Sequence, residues 1–224
     1  LAADGTMTIN EERTYRFRGR YKYAYRTFPL DGRVSYTNFQ VSEKNQPYHL
    51  SDSEETGTFT VTTSDTEVEV RWFYRAKSES RTFALDYQVH KAVKRDQDGA
   101  VLYYKFIGDK FRQSTRNLDI TVNPPVPVDQ WKVRQWAHGP LWGNSATFDQ
   151  GVVSATCQNL PKKTFFELRI LYPPELFGET TQNSGYIVDE ITSEESARSD
   201  EANLRREKAR ADSAALANRK SVGA

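Results

Sequence analysis

The chain has 224 residues, of which 37% are hydrophobic and 12% aromatic, so it is long enough for one large domain or two small ones with an aromatic-rich core. Its 31 Lys and Arg residues nearly balance its 30 Asp and Glu residues, for a formal net charge of +1. This balance gives no electrostatic basis for a nucleic-acid partner. The single cysteine, Cys157, excludes an internal disulfide and leaves the cellular compartment open.

The first three quarters of the chain alternate between apolar and polar residues with a period of two, as antiparallel strands with one buried face do. Turn-forming residues separate these runs, and the pattern predicts an all-β fold, a mostly antiparallel β-sandwich, over residues 1–177. About eleven strands are predicted, more than a simple immunoglobulin-like domain holds, so one sandwich and two β-subdomains both stay open. The clearest runs contain Val68, Val70, Trp72 and Tyr74; Phe83, Leu85, Tyr87 and Val89; Leu102, Tyr104 and Phe106; and Phe166, Leu168 and Ile170.

Three tyrosines, Tyr21, Tyr23 and Tyr25, alternate with the basic or small residues of an early strand. Aromatic residues beside cations can bind single-stranded nucleic acid, by stacking on bases and neutralising phosphates. Because the rest of the chain is not basic, we interpret this segment as an amphipathic strand with its tyrosines on one face.

Metal and nucleophile sites are poorly supported. The three histidines lie far apart in sequence, without the spacing of a ligand pair. Residues 96–99, Asp-Gln-Asp-Gly, resemble the start of a calcium loop but lack its later ligands, and a two-residue Asp-Gly hairpin turn explains them better. Cys157 lies in an alternating run that predicts burial. We therefore expect no metal and no cofactor.

Three of the four tryptophans fall within residues 131–142. Exposed tryptophans can stack on sugar rings or insert into a partner's pocket, so Trp136, His138 and Trp142 form a candidate binding surface. The alternative, which the usual burial of aromatic residues favours, is that these rings pack against the sheet and close the sandwich. His138 precedes Gly-Pro, which predicts a turn position and local hydrogen bonding.

A charged helix is predicted over residues 190–224, after a linker over residues 178–189. Thr192 and Glu195 have the spacing of a capping box, and no Pro or Gly follows until after residue 218. A thin apolar stripe predicts a largely solvated helix, docked along one edge at most, or a stalk that leads to a membrane anchor. The stripe consists of Ile191, Ala202, Leu204, Ala209 and Leu216.

Four segments together resemble the N-terminal domain of the YciQ-like bacterial predicted membrane proteins, a family of unknown function. They are residues 28–33 (FPLDGR), 104–109 (YKFIGD), 136–143 (WAHGPLWG) and 171–177 (LYPPELF). The resemblance implies a signal peptide, an extracytoplasmic β-domain, a charged linker helix and then transmembrane helices. The family has no established catalytic residues, so it assigns none to this chain. Phe111 stands where many relatives are expected to have a tryptophan.

No run of the sequence approaches the ~20 apolar residues that a membrane helix needs. The Asp4-Gly5 turn signal has little chain before it, and the sequence begins with Leu1 rather than Met. We therefore expect an extracytoplasmic piece of a longer membrane protein, with its signal peptide removed and its membrane segments outside this sequence.

The expected function is a non-catalytic binding or sensing domain at the cell membrane, on its extracytoplasmic side, with a cell-envelope glycan or envelope protein as partner. An envelope polysaccharide hydrolase is the alternative. It would need two facing carboxylates, for which Asp31, Asp109, Asp149 and Glu175 are the candidates. A scaffold that self-associates through the linker helix is a third reading, although the weak apolar stripe argues against a strong coiled coil.

Overall fold

The computed structural model describes the backbone of residues 1–222 and the side chains of residues 1–212. Short 3-10 turns lie at Gln130–Lys132, Asp149–Gly151 and Pro174–Phe177. The strands and the helix are β1 (Met7–Arg16), β2 (Arg20–Pro29), β3 (Ser35–Glu43), β4 (Gln46–Pro47), β5 (His49–Leu50), β6 (Thr58–Thr63), β7 (Glu67–Lys77), β8 (Ser80–His90), β9 (Val93–Arg95), β10 (Ala100–Ile107), β11 (Thr115–Val122), β12 (Arg134–His138), β13 (Asn144–Thr147), β14 (Val153–Leu160), β15 (Phe166–Tyr172) and α1 (Val188–Val222).

The strands form four mostly antiparallel sheets, with a short parallel pair between β5 and β6. Their orders are β1-β8-β3-β4, β2-β7-β6-β5, β12-β15-β10-β9 and β11-β14-β13. The prediction of an all-β fold with a C-terminal helix is confirmed. The chain divides into two compact units, Leu1–Val93 and the part from Lys94 onward.

The first unit is a sandwich of the first two sheets, held by an aromatic core. Tyr74 on β7 lies 4.7 Å from Phe83 on β8, and Phe28 on β2 lies 4.8 Å from Tyr87 on β8, measured between ring centroids. Trp72 is fully buried among these rings. The alternation of apolar and polar residues therefore places the large rings of both sheets in contact, and their burial supplies much of the unit's stability.

The prediction that the three tyrosines of β2 share one face is wrong. A β-bulge shifts the register between Tyr21 and Tyr23, so that Tyr21 pairs with Ala76 whereas Tyr23 pairs with Phe73. Tyr21 packs on Phe17, 5.0 Å away between centroids, on the core side. The pairing advances two residues along β2 but three along β7 at this point, so the strict alternation of faces is broken between Tyr21 and Tyr23.

In the second unit, the alternating residues of β10, β14 and β15 form a buried apolar core. These residues are Leu102, Tyr104, Val153, Ala155, Cys157, Phe166, Leu168 and Ile170. The predicted burial of Cys157 is confirmed, and burial raises the pKa of its thiol. The residues between them on β10 and β15 point to the opposite face of the sheet, where α1 lies.

The helix begins at Val188, two residues before the predicted start, and the predicted capping box is wrong. The Thr192 hydroxyl lies inside the helix and donates to the Val188 carbonyl oxygen at 2.6 Å. The N-terminus is capped instead by Asp98, whose carboxylate accepts hydrogen bonds from the backbone N–H groups of Ile187 and Val188 at 2.8 and 3.2 Å. A cap from a distant turn satisfies the same orphan donors that a local capping box would satisfy.

Asp98 belongs to the turn between β9 and β10, and its neighbours hold the segment before α1. The Asp96 N–H donates to the Gly99 carbonyl at 2.8 Å, so the central pair of this turn is Gln97-Asp98 rather than the predicted Asp98-Gly99. Asn183 donates from its backbone and side chain to the Arg95 carbonyl at 2.9 and 2.8 Å. The segment between the last strand and α1 is therefore attached to the β9–β10 hairpin.

The apolar stripe predicted for the helix has members with different burial. Ile191 is buried, whereas Leu204 is exposed. The side chain of Leu216 lies outside the described residues. Within the part of the chain that the structure describes, no helix has the length and apolar character needed to cross a membrane.

Candidate functional site

Nine residues on the outer side of the β12-β15-β10 sheet form a regular three-by-three array, here called the docking face. The register aligns them in rows: Val101, Leu171 and Arg134; Tyr103, Arg169 and Trp136; Lys105, Glu167 and His138. Each strand contributes every second residue, so all nine side chains share one face. The first part of α1 contacts this face.

The apolar corner of the docking face holds the start of the helix. Leu171 packs with Ile187 and Ile191 in a buried cluster, and Val101, Trp136 and Val188 pack against it. Further along, Arg134 donates to the Thr192 hydroxyl at 2.8 Å. The helix therefore runs from the Leu171 row towards the Glu167 row, opposite in direction to β15.

One turn beyond the apolar corner, the helix places a carboxylate in a nearly closed polar environment. The Glu195 side chain is 1% exposed. One of its oxygens contacts Nε2 of His138 at 2.8 Å and the other accepts from Nη1 of Arg169 at 3.0 Å. The same Arg169 nitrogen donates to Glu194 at 2.6 Å, and Arg198 lies 3.5 Å from Glu195. A buried carboxylate must be satisfied in this way, because an unpaired buried charge is strongly destabilising.

His138 bridges the helix and the sheet. Its Nδ1 lies 3.2 Å from Glu167 Oε1, and the Tyr103 hydroxyl donates to that same oxygen at 2.7 Å. Burial lowers the pKa of His138, but its hydrogen bonds to Glu167 and Glu195 outweigh burial and raise the pKa above the ordinary value. Burial raises the pKa of Glu167, yet the hydrogen bonds from His138 and Tyr103 hold it below its usual range.

A second contact joins the helix to residues 139–143, the loop that follows β12. Arg206 donates from Nε and Nη2 to the Leu141 carbonyl oxygen at 3.2 and 3.0 Å. The next residue, Trp142, is 59% exposed, and its indole N–H donates to the Gln158 carbonyl at 2.7 Å. This loop therefore presents an exposed indole ring on one residue and holds the helix through its neighbour.

The glycines of this loop are required by close packing on Phe166. A Cβ at Gly139 would lie 2.9 Å from the Phe165 carbonyl oxygen, and the residue has a φ of +155°. A Cβ at Gly143 would lie 2.8 Å from the Phe166 ring. The two glycines of the predicted tryptophan-rich motif are therefore explained by packing, because their backbone lies close to residues 165 and 166.

The three predicted surface residues have different surroundings. Trp136 and His138 lie on the docking face, in contact with side chains of α1, while Trp142 lies in the adjoining loop with its ring half uncovered. His138 is the last residue of β12 rather than a turn residue. Whether these residues bind a ligand stays a prediction.

Sequence reasoning missed the partners that give His138 its environment, namely Glu167, Arg169 and Glu195. Glu167 and Arg169 occupy the polar positions of an alternating strand, which predict a solvent-facing side. Glu195 fitted the capping-box pattern. The available signal was the polar face of one strand together with a charged helix later in the chain. Placing the helix on that face requires the register of three strands.

The carboxylates proposed for a hydrolase are distributed over both units. Asp31 lies in the first unit, where its carboxylate binds Arg33 at 2.5 Å, while Asp109, Asp149 and Glu175 lie in the second. Among the described residues, no group of three His, Cys, Asp or Glu side chains is arranged to hold a metal ion.

Residues 1–172 match the family model described as "Predicted membrane protein (DUF2207) N-terminal domain". No curated protein and no solved structure matches the chain.

Proposed function

The chain belongs to this family of predicted membrane proteins, and on that premise we propose that it is a non-catalytic sensing domain on the extracytoplasmic side of a bacterial membrane. Its ligand is a glycan of the cell envelope, bound at Trp142, and its output element is α1.

The observation that carries the proposal is the double role of loop 139–143. Trp142 offers an uncovered aromatic ring, whose orientation is fixed by the hydrogen bond to Gln158. The negative face of an indole ring attracts the C–H groups on one side of a sugar ring, and a fixed ring loses little conformational entropy on binding. A shift of the loop on binding would act directly on the Leu141–Arg206 contact, so ligand binding and the position of the helix are physically linked.

The way in which the helix is attached to the sheet supports its assignment as the output element. Its first turns are held by a small apolar cluster and by ion pairs, while most side chains from Glu201 to Asp212 are exposed. A helix held by a small apolar cluster and by polar contacts can change its docking at modest energetic cost, as bistable elements in signalling proteins must.

Sedimentation with insoluble, purified peptidoglycan tests the ligand class. We expect the wild-type chain to sediment with it and Trp142→Ala to lose at least tenfold in affinity, which corresponds to about 1.4 kcal/mol. Trp131→Ala is the matched control, because Trp131 is 83% exposed in the same region but does not belong to the predicted surface. Its binding should equal that of the wild type.

No binding by a folded wild-type chain, or equal losses in Trp142→Ala and Trp131→Ala, would contradict the glycan proposal. Circular dichroism of each variant establishes that it is folded. Binding to a purified envelope protein through Trp142, without peptidoglycan binding, would also overturn the glycan assignment.

A further inference from the structure

The number of hydrogen bonds that His138 can donate depends on its protonation state. Both of its ring nitrogens face a carboxylate oxygen, Nδ1 that of Glu167 at 3.2 Å and Nε2 that of Glu195 at 2.8 Å. Ionised carboxylates only accept hydrogen bonds. A neutral imidazole has one N–H donor, so it satisfies one carboxylate and turns a lone pair towards the other, whereas an imidazolium donates to both.

We propose that His138 is a pH-sensitive latch that holds α1 on the docking face when it is protonated and releases the helix when it is neutral. Because Glu167 belongs to the same sheet as His138, it stays beside the imidazole in either state. Glu195 belongs to the helix and can leave. The helix is therefore the part that responds, and the latch adds a second input to the sensing role proposed above, on which its signalling meaning rests.

The charges around His138 favour the protonated form in the docked state. The sheet contributes Glu167, Arg169, Tyr103 and Lys105, and the helix contributes Glu194, Glu195 and Arg198. Three carboxylates therefore face the Arg169 and Arg198 guanidinium groups, with Lys105 in the Glu167 row. Arg198 Nη1 also lies 3.5 Å from His138 Nε2, but the Glu195 oxygen is closer to that nitrogen, at 2.8 Å.

The direction of the pH dependence follows from the raised pKa of His138. A group whose pKa is raised in the docked state stabilises docking fully below its undocked pKa, and that stabilisation is lost as pH rises through the docked pKa. One linked proton changes the docking equilibrium by at most tenfold per pH unit in that range. Acid therefore favours the docked helix and mild alkali favours its release.

Apart from the contacts of Glu195, this part of the helix is held by the apolar corner, the Asp98 cap and the Arg134–Thr192 hydrogen bond. The apolar cluster at the corner comprises three buried side chains, Leu171, Ile187 and Ile191. A neutral His138 donates to only one of Glu167 and Glu195 and turns a lone pair towards the other, and in either tautomer the positive charge that attracts the Glu195 carboxylate is lost. The loss of a charge-assisted hydrogen bond in this buried cluster weakens the docking of the helix.

Distances between two spin labels test the latch. One label on Ser199→Cys reports α1 and one on Thr156→Cys reports β14, since both residues are exposed and Cys157 is buried and stays unlabelled. Without any glycan present, we expect one narrow distance distribution at about pH 5.5 and a broad one at about pH 9, a range that brackets the titration of histidine. Identical distributions at both pH values in the folded protein would overturn the proposal.

Glu195→Gln separates a protonation latch from a merely structural contact. Its side-chain amide can donate to the lone pair of a neutral His138, while its carbonyl still accepts from Arg169. We expect this variant to keep the narrow distribution at about pH 9. His138→Gln should lose the pH response, and the control His90→Gln, on β8 of the first unit, should keep it. Loss of helix docking at high pH in Glu195→Gln, or a retained response in His138→Gln, would contradict the latch. Because the measurement contains no glycan, its outcome does not depend on the Trp142 experiment.

Discussion

Glu195 of α1 and His138 of β12 are joined by a 2.8 Å contact between a carboxylate that is 1% exposed and an imidazole that is 15% exposed. The two residues are 57 positions apart, and neither has a sequence context that predicts the other. Their contact connects α1 to the sheet, and the proposed pH response of the helix depends on it.

Removing the buried carboxylate should undock the helix. Glu195→Ala removes the buried carboxylate that His138 and Arg169 share, and breaking such a buried pair from one side costs about 3–5 kcal/mol. Urea denaturation followed by circular dichroism measures the change. Glu194→Ala is the matched control, since Glu194 is the exposed neighbour that shares Arg169, and its effect should be clearly smaller. Equal losses in the two variants would contradict the assigned role of Glu195.

The cap of α1 should be measurable at Asp98. Asp98→Ala removes the acceptor of two N–H groups at the helix N-terminus, and loss of a cap costs about 1 kcal/mol. Thermal or urea denaturation tests this value against Asp119→Ala, which changes an exposed aspartate on β11. If Asp119→Ala destabilises the protein as much as Asp98→Ala, the long-range cap does not contribute.

Close packing in the loop after β12 predicts that alanine substitutions at two glycines change the free energy of unfolding by different amounts. Gly139→Ala would place a Cβ 2.9 Å from a backbone oxygen, at a φ of +155°, and such overpacking costs about 1–3 kcal/mol. Gly108→Ala meets no atom within 4 Å and should change the free energy of unfolding little. Comparable destabilisation by both substitutions would argue against close packing on the Phe165–Phe166 backbone.

The first unit should lose stability in acid through Glu43 on β3. The hydrogen bond and charge of Arg81 lower the pKa of Glu43 despite the opposing effect of burial. The pair therefore stabilises the unit above the unfolded pKa of a glutamate, and this contribution is lost as pH falls through the lower folded pKa. Denaturation of the wild type and Glu43→Gln between about pH 7 and pH 3 tests this, since the variant should show the shallower dependence. An unchanged slope would contradict it.

The strands could be predicted from the sequence because their information is local. Alternation along β7, β8 and β15 identifies which residues are buried, and the structure places them in the cores. On β10 the prediction holds for Leu102 and Tyr104, but a register shift between Lys105 and Ile107 buries Ile107 rather than Phe106. The charged composition after residue 189 likewise identified a helix. These features depend on neighbours two to four positions apart in the chain.

The docking face could not be predicted, because it depends on pairing between distant strands. Trp136, Arg169 and Tyr103 become neighbours only once the registers of β10, β12 and β15 are fixed. The bulge that separates Tyr21 from Tyr23 is likewise invisible to a pattern that assumes strict alternation. Local patterns therefore identified Trp136 and His138 as unusual but did not identify the helix as what contacts them.

Hydrogen exchange along α1 at about pH 6 tests docking of the helix most directly, because amide protection reports local opening. We expect slow exchange from Ile191 to Arg198, where the helix contacts the sheet, and faster exchange from Glu207 to Asp212. In Glu195→Ala, the first segment should exchange as fast as the second. Uniformly fast exchange from Ile191 to Asp212 in the wild type would contradict the docked helix on which the sensing role and the latch both depend.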